Sequence, residues 1–162
     1  EMIKIQGKMM PGKHVFMALH KGMDGFMSDE HYRTFYWNHL QIIINAIIEN
    51  GMVPYIYTEG KYDSRLECLK EVPAGKVVYH FEEVDMAQAK KILGDTACIS
   101  GGFPVYLLDY GTKEQVVNEA KRLIDTCAVR GGFIFETSCG MDLAKRENVE
   151  ALMDTVRNYG KK

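Results

Sequence analysis

Four short apolar runs recur along the chain, and each ends in residues that ionise or make tight turns. The runs are rich in β-branched and aromatic side chains, which is typical of buried strands. They are Tyr55-Ile56-Tyr57-Thr58-Glu59-Gly60, Lys76-Val77-Val78-Tyr79-His80-Phe81-Glu82, Thr96-Ala97-Cys98-Ile99-Ser100-Gly101-Gly102 and Gly132-Phe133-Ile134-Phe135-Glu136-Thr137-Ser138-Cys139-Gly140. On neighbouring parallel strands, the ends of all four runs gather at one rim. The sequence therefore predicts an active site there, with Glu59, His80, Gly101, Gly102 and Cys139.

Helical segments separate these runs. Ser28 is a predicted N-cap for a helix that reaches Asn50 and is closed by Gly51 in a left-handed conformation. Thr112 and Gln115 form a predicted capping box for a later helix. Further strands and helices are predicted at 14–19, 63–71, 86–93 and about 146–159, while 1–13 and 101–111 carry no predicted regular element.

Alternation of strands and helices predicts right-handed βαβ units and a parallel sheet. Four or five such units make about half of an eight-stranded (β/α) barrel. A doubly wound, flavodoxin-like sheet has a suitable length and is the alternative. The barrel is favoured because polar residues follow strand after strand, and a barrel brings those strand ends to one mouth.

The length and the net charge of the chain limit the kinds of function that it can have. A chain of 162 residues suits one domain, which we place at 1–162, and its net charge of -2 gives no case for binding nucleic acid. The longest apolar run, near Ile42 to Ile48, is too short to span a membrane. Four widely spaced cysteines predict a reducing, cytoplasmic location rather than a disulfide framework. The start at Glu1-Met2 suggests a piece of a longer protein.

Several ordered motifs resemble one known family. They are Ile99-Ser100-Gly101-Gly102-Phe103-Pro104, Leu107-Leu108-Asp109-Tyr110-Gly111-Thr112-Lys113-Glu114-Gln115-Val116, Gly131-Gly132-Phe133-Ile134, Cys139-Gly140, Glu147-Asn148-Val149-Glu150-Ala151-Leu152 and Tyr159-Gly160. Together they resemble the C-terminal half of the uroporphyrinogen decarboxylase superfamily, which contains decarboxylases and corrinoid-linked methyltransferases. The resemblance runs from about Asp24 onward and implies an α/β fold, the C-terminal half of a (β/α)8 TIM barrel.

Within that superfamily, the resemblance points to the methyltransferase branch. True decarboxylases carry a histidine-glycine pair where this chain has Cys139-Gly140. The O-demethylase methyltransferases hold zinc with a Glu and a His twenty residues apart, as Glu59 and His80 are. Their further glutamate falls on Ile44 here, and Cys139 matches a later cysteine ligand of the coenzyme M methyltransferases.

The resemblance therefore implies a Zn²⁺ site and catalytic set of Glu59, His80 and Cys139, since zinc accepts carboxylate, imidazole and thiolate together. The zinc would activate a methyl ether or similar donor while a corrinoid on a partner protein takes the methyl group. Glu82 or Glu136 would orient His80. The predicted substrate-binding residues are Tyr57 and Phe103 at the pocket mouth, with Gly101 and Gly102.

Simpler interpretations of the same residues stay open. Glu59 is alternatively a loop carboxylate, His80 a core histidine and Cys139 a packed thiol. The glycine pairs fit neither GxGxxG nor the P-loop, which favours turns over phosphate binding. The other cysteines, Cys68, Cys98 and Cys127, are predicted to be core residues.

Two alternative functions also remain. One is uroporphyrinogen decarboxylase itself, which acts on a tetrapyrrole and needs no cofactor. The other is a non-catalytic fragment, because half a barrel exposes sheet edges and an apolar inner face. We expect such a half-barrel to self-associate or to pair with its missing half, and to be inactive alone.

Overall fold

The computed structural model describes residues 13–161, so most of the 1–13 segment lies outside it. Within residues 13–161, five parallel strands form one sheet in the order β1-β2-β3-β4-β5. The strands are β1 His14–Leu19, β2 Val53–Lys61, β3 Val78–Glu83, β4 Cys98–Gly101 and β5 Phe133–Ile134. Sequential order with right-handed crossovers places the helices on one face, whereas a doubly wound sheet reverses its order. The fold is a partial (β/α) barrel.

The helices follow the predicted plan with two additions. The first helical stretch, α1, consists of Asp29–His31, a π-helical segment Tyr32–Trp37 and Asn38–Glu49. A 3₁₀ turn, Asp63–Arg65, leads into α2. The remaining helices are α2 Leu66–Leu69, α3 Met86–Leu93, α4 Tyr106–Tyr110, α5 Lys113–Cys127 and α6 Arg146–Tyr159. The π segment and α4 are not in the sequence prediction.

The predicted caps form as expected. The Ser28 hydroxyl accepts from the His31 backbone N–H, and Thr112 and Gln115 make the reciprocal capping box. Gly51 ends α1 with φ of 75°. These contacts are local, which is why the sequence predicts them.

The hydrophobic core lies between the sheet and the helices. From the sheet it takes Ile56, Tyr79, Phe81 and Ile99, all fully buried. The opposite face of the sheet carries Phe16, which is 66% exposed. Among the described residues this is the more exposed face; it corresponds to the inside of a barrel, and we call it the open face.

Candidate functional site

The open face is defined by side chains at matching register on neighbouring strands. Phe16 pairs with Tyr55, Tyr57 pairs with His80, and His80 pairs with Ser100. The Tyr57 and His80 rings meet edge to face at 5.1 Å, and Phe16 stacks on Tyr57 at 6.5 Å. Because alternate strand residues point to one face, these residues form a polar and aromatic surface leading to the strand ends.

His80 is held at both ring nitrogens. Its Nδ1 lies 3.1 Å from Glu136 Oε2, and its Nε2 lies 3.2 Å from the Ser138 carbonyl oxygen. Ser138 belongs to the loop after β5, so one imidazole ties β3 to that loop. The fixed ring is what a binding or proton-handling histidine requires.

Glu136 is the centre of this network. Its Oε2 also accepts hydrogen bonds from the Tyr55 and Ser100 hydroxyls. Burial and, to a smaller extent, the hydrogen bond to Glu136 raise the pKa of Tyr55 to about 12. Tyr55 therefore stays protonated and donates to the carboxylate at neutral pH.

Glu59 has a different partner from the one predicted. Its carboxylate contacts His20 Nδ1, in the loop after β1, and the Tyr36 hydroxyl donates to the His20 carbonyl oxygen at 2.9 Å. His20 is exposed. The pair fixes the β1 loop against the end of β2.

Tyr57 lies near the acidic side chains of the rim. Burial raises its pKa to about 12, and the charge of Glu82 and a hydrogen bond to Glu82 raise it further. Glu82 in turn accepts from the Gly60 backbone N–H at 2.7 Å. Tyr57 thus links β2 to the end of β3 through Glu82.

Residues 14–159 match the sequence model of the uroporphyrinogen decarboxylase (URO-D) family. The chain belongs to the URO-D family. A methyltransferase from Methanosarcina mazei has a similar solved structure, with a TM-score of 0.75 and 18% sequence identity. The similarity covers 92% of this chain and 43% of that chain, so this URO-D chain spans less than half of the methyltransferase's length. Comparison with curated protein sequences gives no match.

The zinc ligands implied by the URO-D resemblance do not come together. Glu59 contacts His20, and His80 contacts Glu136. Cys139 is half-buried, with its Sγ 3.8 Å from the Ser138 hydroxyl. Within residues 13–161, no three His, Cys, Asp or Glu side chains are placed to hold one metal ion. As arranged here, the predicted set does not fit zinc, and zinc binding stays a prediction.

The two glycines at the end of β4 adopt backbone conformations that other residues rarely adopt. Gly101 and Gly102 take left-handed φ values of 86° and 74°. A Cβ on Gly101 would overlap the Phe81 carbonyl oxygen and lie 2.9 Å from His80 Cδ2. Gly101 therefore allows the chain to pass beside His80, while its predicted substrate contact stays a prediction.

Phe103 corrects the predicted pocket mouth. Its side chain is fully buried and packs against Phe135 at a ring distance of 5.8 Å. Phe103 also bridges to Thr137, which draws the two loops together. It is a core residue, because a fully buried ring presents no surface to a ligand.

The cysteines only partly follow their prediction. Cys127 is buried in the core and the half-buried Cys68 packs against it, whereas Cys98 is half-buried and does not belong to that cluster. Cys98 pairs with Val78, one pleat below His80 and Ser100, and its side chain is therefore expected on the open face.

Three residues of the site are absent from the sequence prediction: His20, Tyr55 and Ser100. Two of them carry a usable signal, because Tyr55 lies two residues before Tyr57 and Ser100 lies in a strand whose end was already predicted. His20 carries none, since its pairing with Glu59 depends on how the loop folds back.

Proposed function

We propose that this chain is the C-terminal part of a methyltransferase that moves a methyl group from a small methylated molecule to a corrinoid carried by a partner protein. Membership of the URO-D family and the structural similarity to the Methanosarcina mazei methyltransferase support this choice. The corrinoid, when bound, supplies the nucleophile that accepts the methyl group. The cytoplasm remains the predicted location; within residues 13–161, the helices are too short or too polar to cross a bilayer.

The observation that carries the proposal is the network of His80, Glu136, Tyr55 and Ser100. It joins β2, β3 and β4 to Glu136, which follows β5 at the carboxyl end of the sheet, where (β/α) barrels place their active sites. Its polar atoms point to fixed positions, which lets it orient a small substrate without reorganising. His80 is the binding residue, and Glu136 is its positioning residue.

Charge at the rim argues against the decarboxylase alternative. Glu59, Glu82 and Glu136 all lie at the strand ends. Three carboxylates repel a tetrapyrrole that itself carries several carboxylates. A small neutral or cationic methyl donor meets no such repulsion.

The open face also bears on partners. Phe16 and Ile134 expose apolar surface there, and within residues 13–161 each outer strand pairs on one side alone. We propose that this face is covered by the remaining barrel units of a longer protein or, in the isolated chain, by a second copy. Light scattering on the isolated chain tests self-association, which would appear as a dimer mass.

The deciding experiment measures transfer of an isotopically labelled methyl group to a corrinoid protein by the longer protein. The same preparation is given uroporphyrinogen. Methyl transfer that falls by about 100-fold in His80→Ala supports the proposal. Tetrapyrrole turnover without methyl transfer overturns it.

Zinc is tested separately by elemental analysis of the longer protein and its Glu59→Ala, His80→Ala and Cys139→Ala variants. Zinc lost from all three variants supports the predicted ligand set. Zinc retained in all three rejects that set and leaves methyl transfer to be judged by its own assay.

A further inference from the structure

A cavity of about 330 Å³ opens beside the His80 network, between α6 and the end of β5. Its volume is sufficient for a small molecule. Among the described residues, those that line it are His80, Phe135, Glu136, Thr137, Met141, Val149, Leu152, Met153 and Val156. The walls are mostly apolar, with the polar groups at one end.

The polar end is suited to a hydrogen-bond donor with positive charge. Oε2 of Glu136 already contacts His80, Tyr55 and Ser100, while no side chain within residues 13–161 donates to Oε1. The described lining includes Glu136 but no Lys or Arg. A carboxylate with one unused oxygen favours a cationic donor over a neutral or anionic group.

The apolar walls are suited to methyl groups. Met141 and Met153 provide soft, polarizable thioethers, and Phe135 provides an aromatic ring. These surfaces attract the methyl groups of an ammonium ion, which carry part of its positive charge. A free carboxylate oxygen and apolar, polarizable walls therefore favour the same ligand class.

We propose that this cavity binds a methylammonium ion, with its N–H directed to Glu136 Oε1 and its methyl groups against the walls from β5 and α6. The inference rests on the proposed function, because the ammonium ion then serves as the methyl donor. A methyl ether has no hydrogen to donate to Glu136 and no charge to complement it.

Methyl transfer from an ammonium ion is a balanced reaction that needs no Lewis acid. The C–N bond breaks with its electron pair going to nitrogen, and the amine leaves uncharged. A corrinoid acceptor on the partner protein would supply the electron pair of the new bond to carbon. Glu136 holds the ammonium group in place and takes no part in the bond changes.

The binding test compares three probes of similar size on the 162-residue chain: trimethylammonium, tetramethylammonium and tert-butanol. Affinities come from titrations followed by the methionine methyl signals in NMR spectra. We expect trimethylammonium to bind most tightly, since it offers both charge and an N–H, and tert-butanol to bind about tenfold more weakly. Equal affinities for trimethylammonium and tert-butanol would overturn the inference.

Two variants locate the binding. Glu136→Gln should weaken trimethylammonium about tenfold and leave tert-butanol unchanged. Glu150→Gln, on the exposed side of α6, is the matched control and should change neither. Should Glu136→Gln fail to fold, Val149→Phe, which fills the cavity and keeps the carboxylate, must abolish binding of the ammonium ion. Unchanged binding in that variant rejects the cavity.

Methyl transfer by the longer protein separates the two proposals. Transfer from a methyl ether and not from trimethylammonium overturns the ammonium inference and leaves the proposed function intact. Ammonium binding that requires Glu136 without transfer from either donor overturns the proposed function and leaves the binding site.

Discussion

Glu136, two residues beyond β5, reaches across β4 to His80 on β3, and the carboxylate and imidazole meet at 3.1 Å although β3 and β5 are not neighbours. Ser100, on the intervening β4, donates to the same carboxylate oxygen. The site therefore depends on one carboxylate that collects donors from β2, β3 and β4. Its removal should affect both folding and the position of His80.

Glu136→Ala should lower the free energy of unfolding by about 1–3 kcal/mol, because it leaves the buried Ser100 hydroxyl without its acceptor. Urea unfolding measures this change. Glu150→Ala removes an exposed pair with Arg146 and should cost no more than about 0.5 kcal/mol. Similar losses in the two variants would show that the network does not stabilise the fold.

Gly101→Ala tests the close passage beside His80. The substitution imposes a left-handed φ on alanine and drives its Cβ against the Phe81 carbonyl oxygen, so we expect a loss of about 3 kcal/mol. Gly51→Ala is the matched control, with φ of 75° and no atom within 4 Å of the added Cβ, and should cost about 1 kcal/mol. Thermal unfolding of both variants gives the comparison. Equal costs would mean that the backbone at Gly101 moves to accept a side chain.

The sequence predicts the elements best where their signals are local. The strand 14–19 and the helix 146–159 have the predicted bounds, and Ser28 and Thr112 cap as expected. In α1, however, the apolar side chains do not keep regular α-helical spacing, and Phe35 is exposed. The buried residues Tyr32 and Trp37 are five positions apart, because the π-helical turn between them changes the phase of the helix.

The site was less predictable, because its contacts join distant parts of the chain. The predicted active-site rim at the strand ends stays a prediction; in the structure Glu136 follows β5, and His80 lies within β3. Tyr55 and Glu136 are 81 residues apart in sequence, and His20 and Glu59 are 39 apart. A single sequence contains no local signal for such pairs, so Glu59 was predicted to join His80 rather than His20.

Alkaline pH should destabilise the protein through its buried phenols. Burial raises the pKa of Tyr55 and Tyr57 to about 12, whereas an unfolded tyrosine has a pKa of about 10. Between these two pKa values the folded state keeps the tyrosine protons and the unfolded state loses them. The stability that this difference contributes is complete below pH about 10 and is lost as the pH rises toward about 12. Burial also raises the pKa of Tyr32, Tyr62 and Tyr79, which adds to the loss.

Free energies of unfolding measured in steps from pH about 8 to pH about 12 check that stability falls as the pH rises. Tyr57→Phe should flatten the decline, because its ring keeps the packing without the titrating hydroxyl. Tyr106→Phe, at an exposed position on α4, is the control and should leave the slope unchanged. A decline of the same slope in Tyr57→Phe would assign the effect to other groups.

Among the polar residues, Arg65 should contribute most to the stability of the loop after β1, which carries His20. Its fully buried guanidinium contacts Asp29 and donates to the carbonyl oxygens of Met27 and Gly22 at 2.7 and 3.3 Å. Arg65→Met keeps much of the volume but releases these partners, so we expect a loss of about 3 kcal/mol. Arg146→Met, which breaks an exposed pair, should cost less than about 1 kcal/mol. Hydrogen exchange should show faster amide exchange in the loop of the Arg65 variant, and unchanged exchange there would mean that packing, not Arg65, holds His20 beside Glu59.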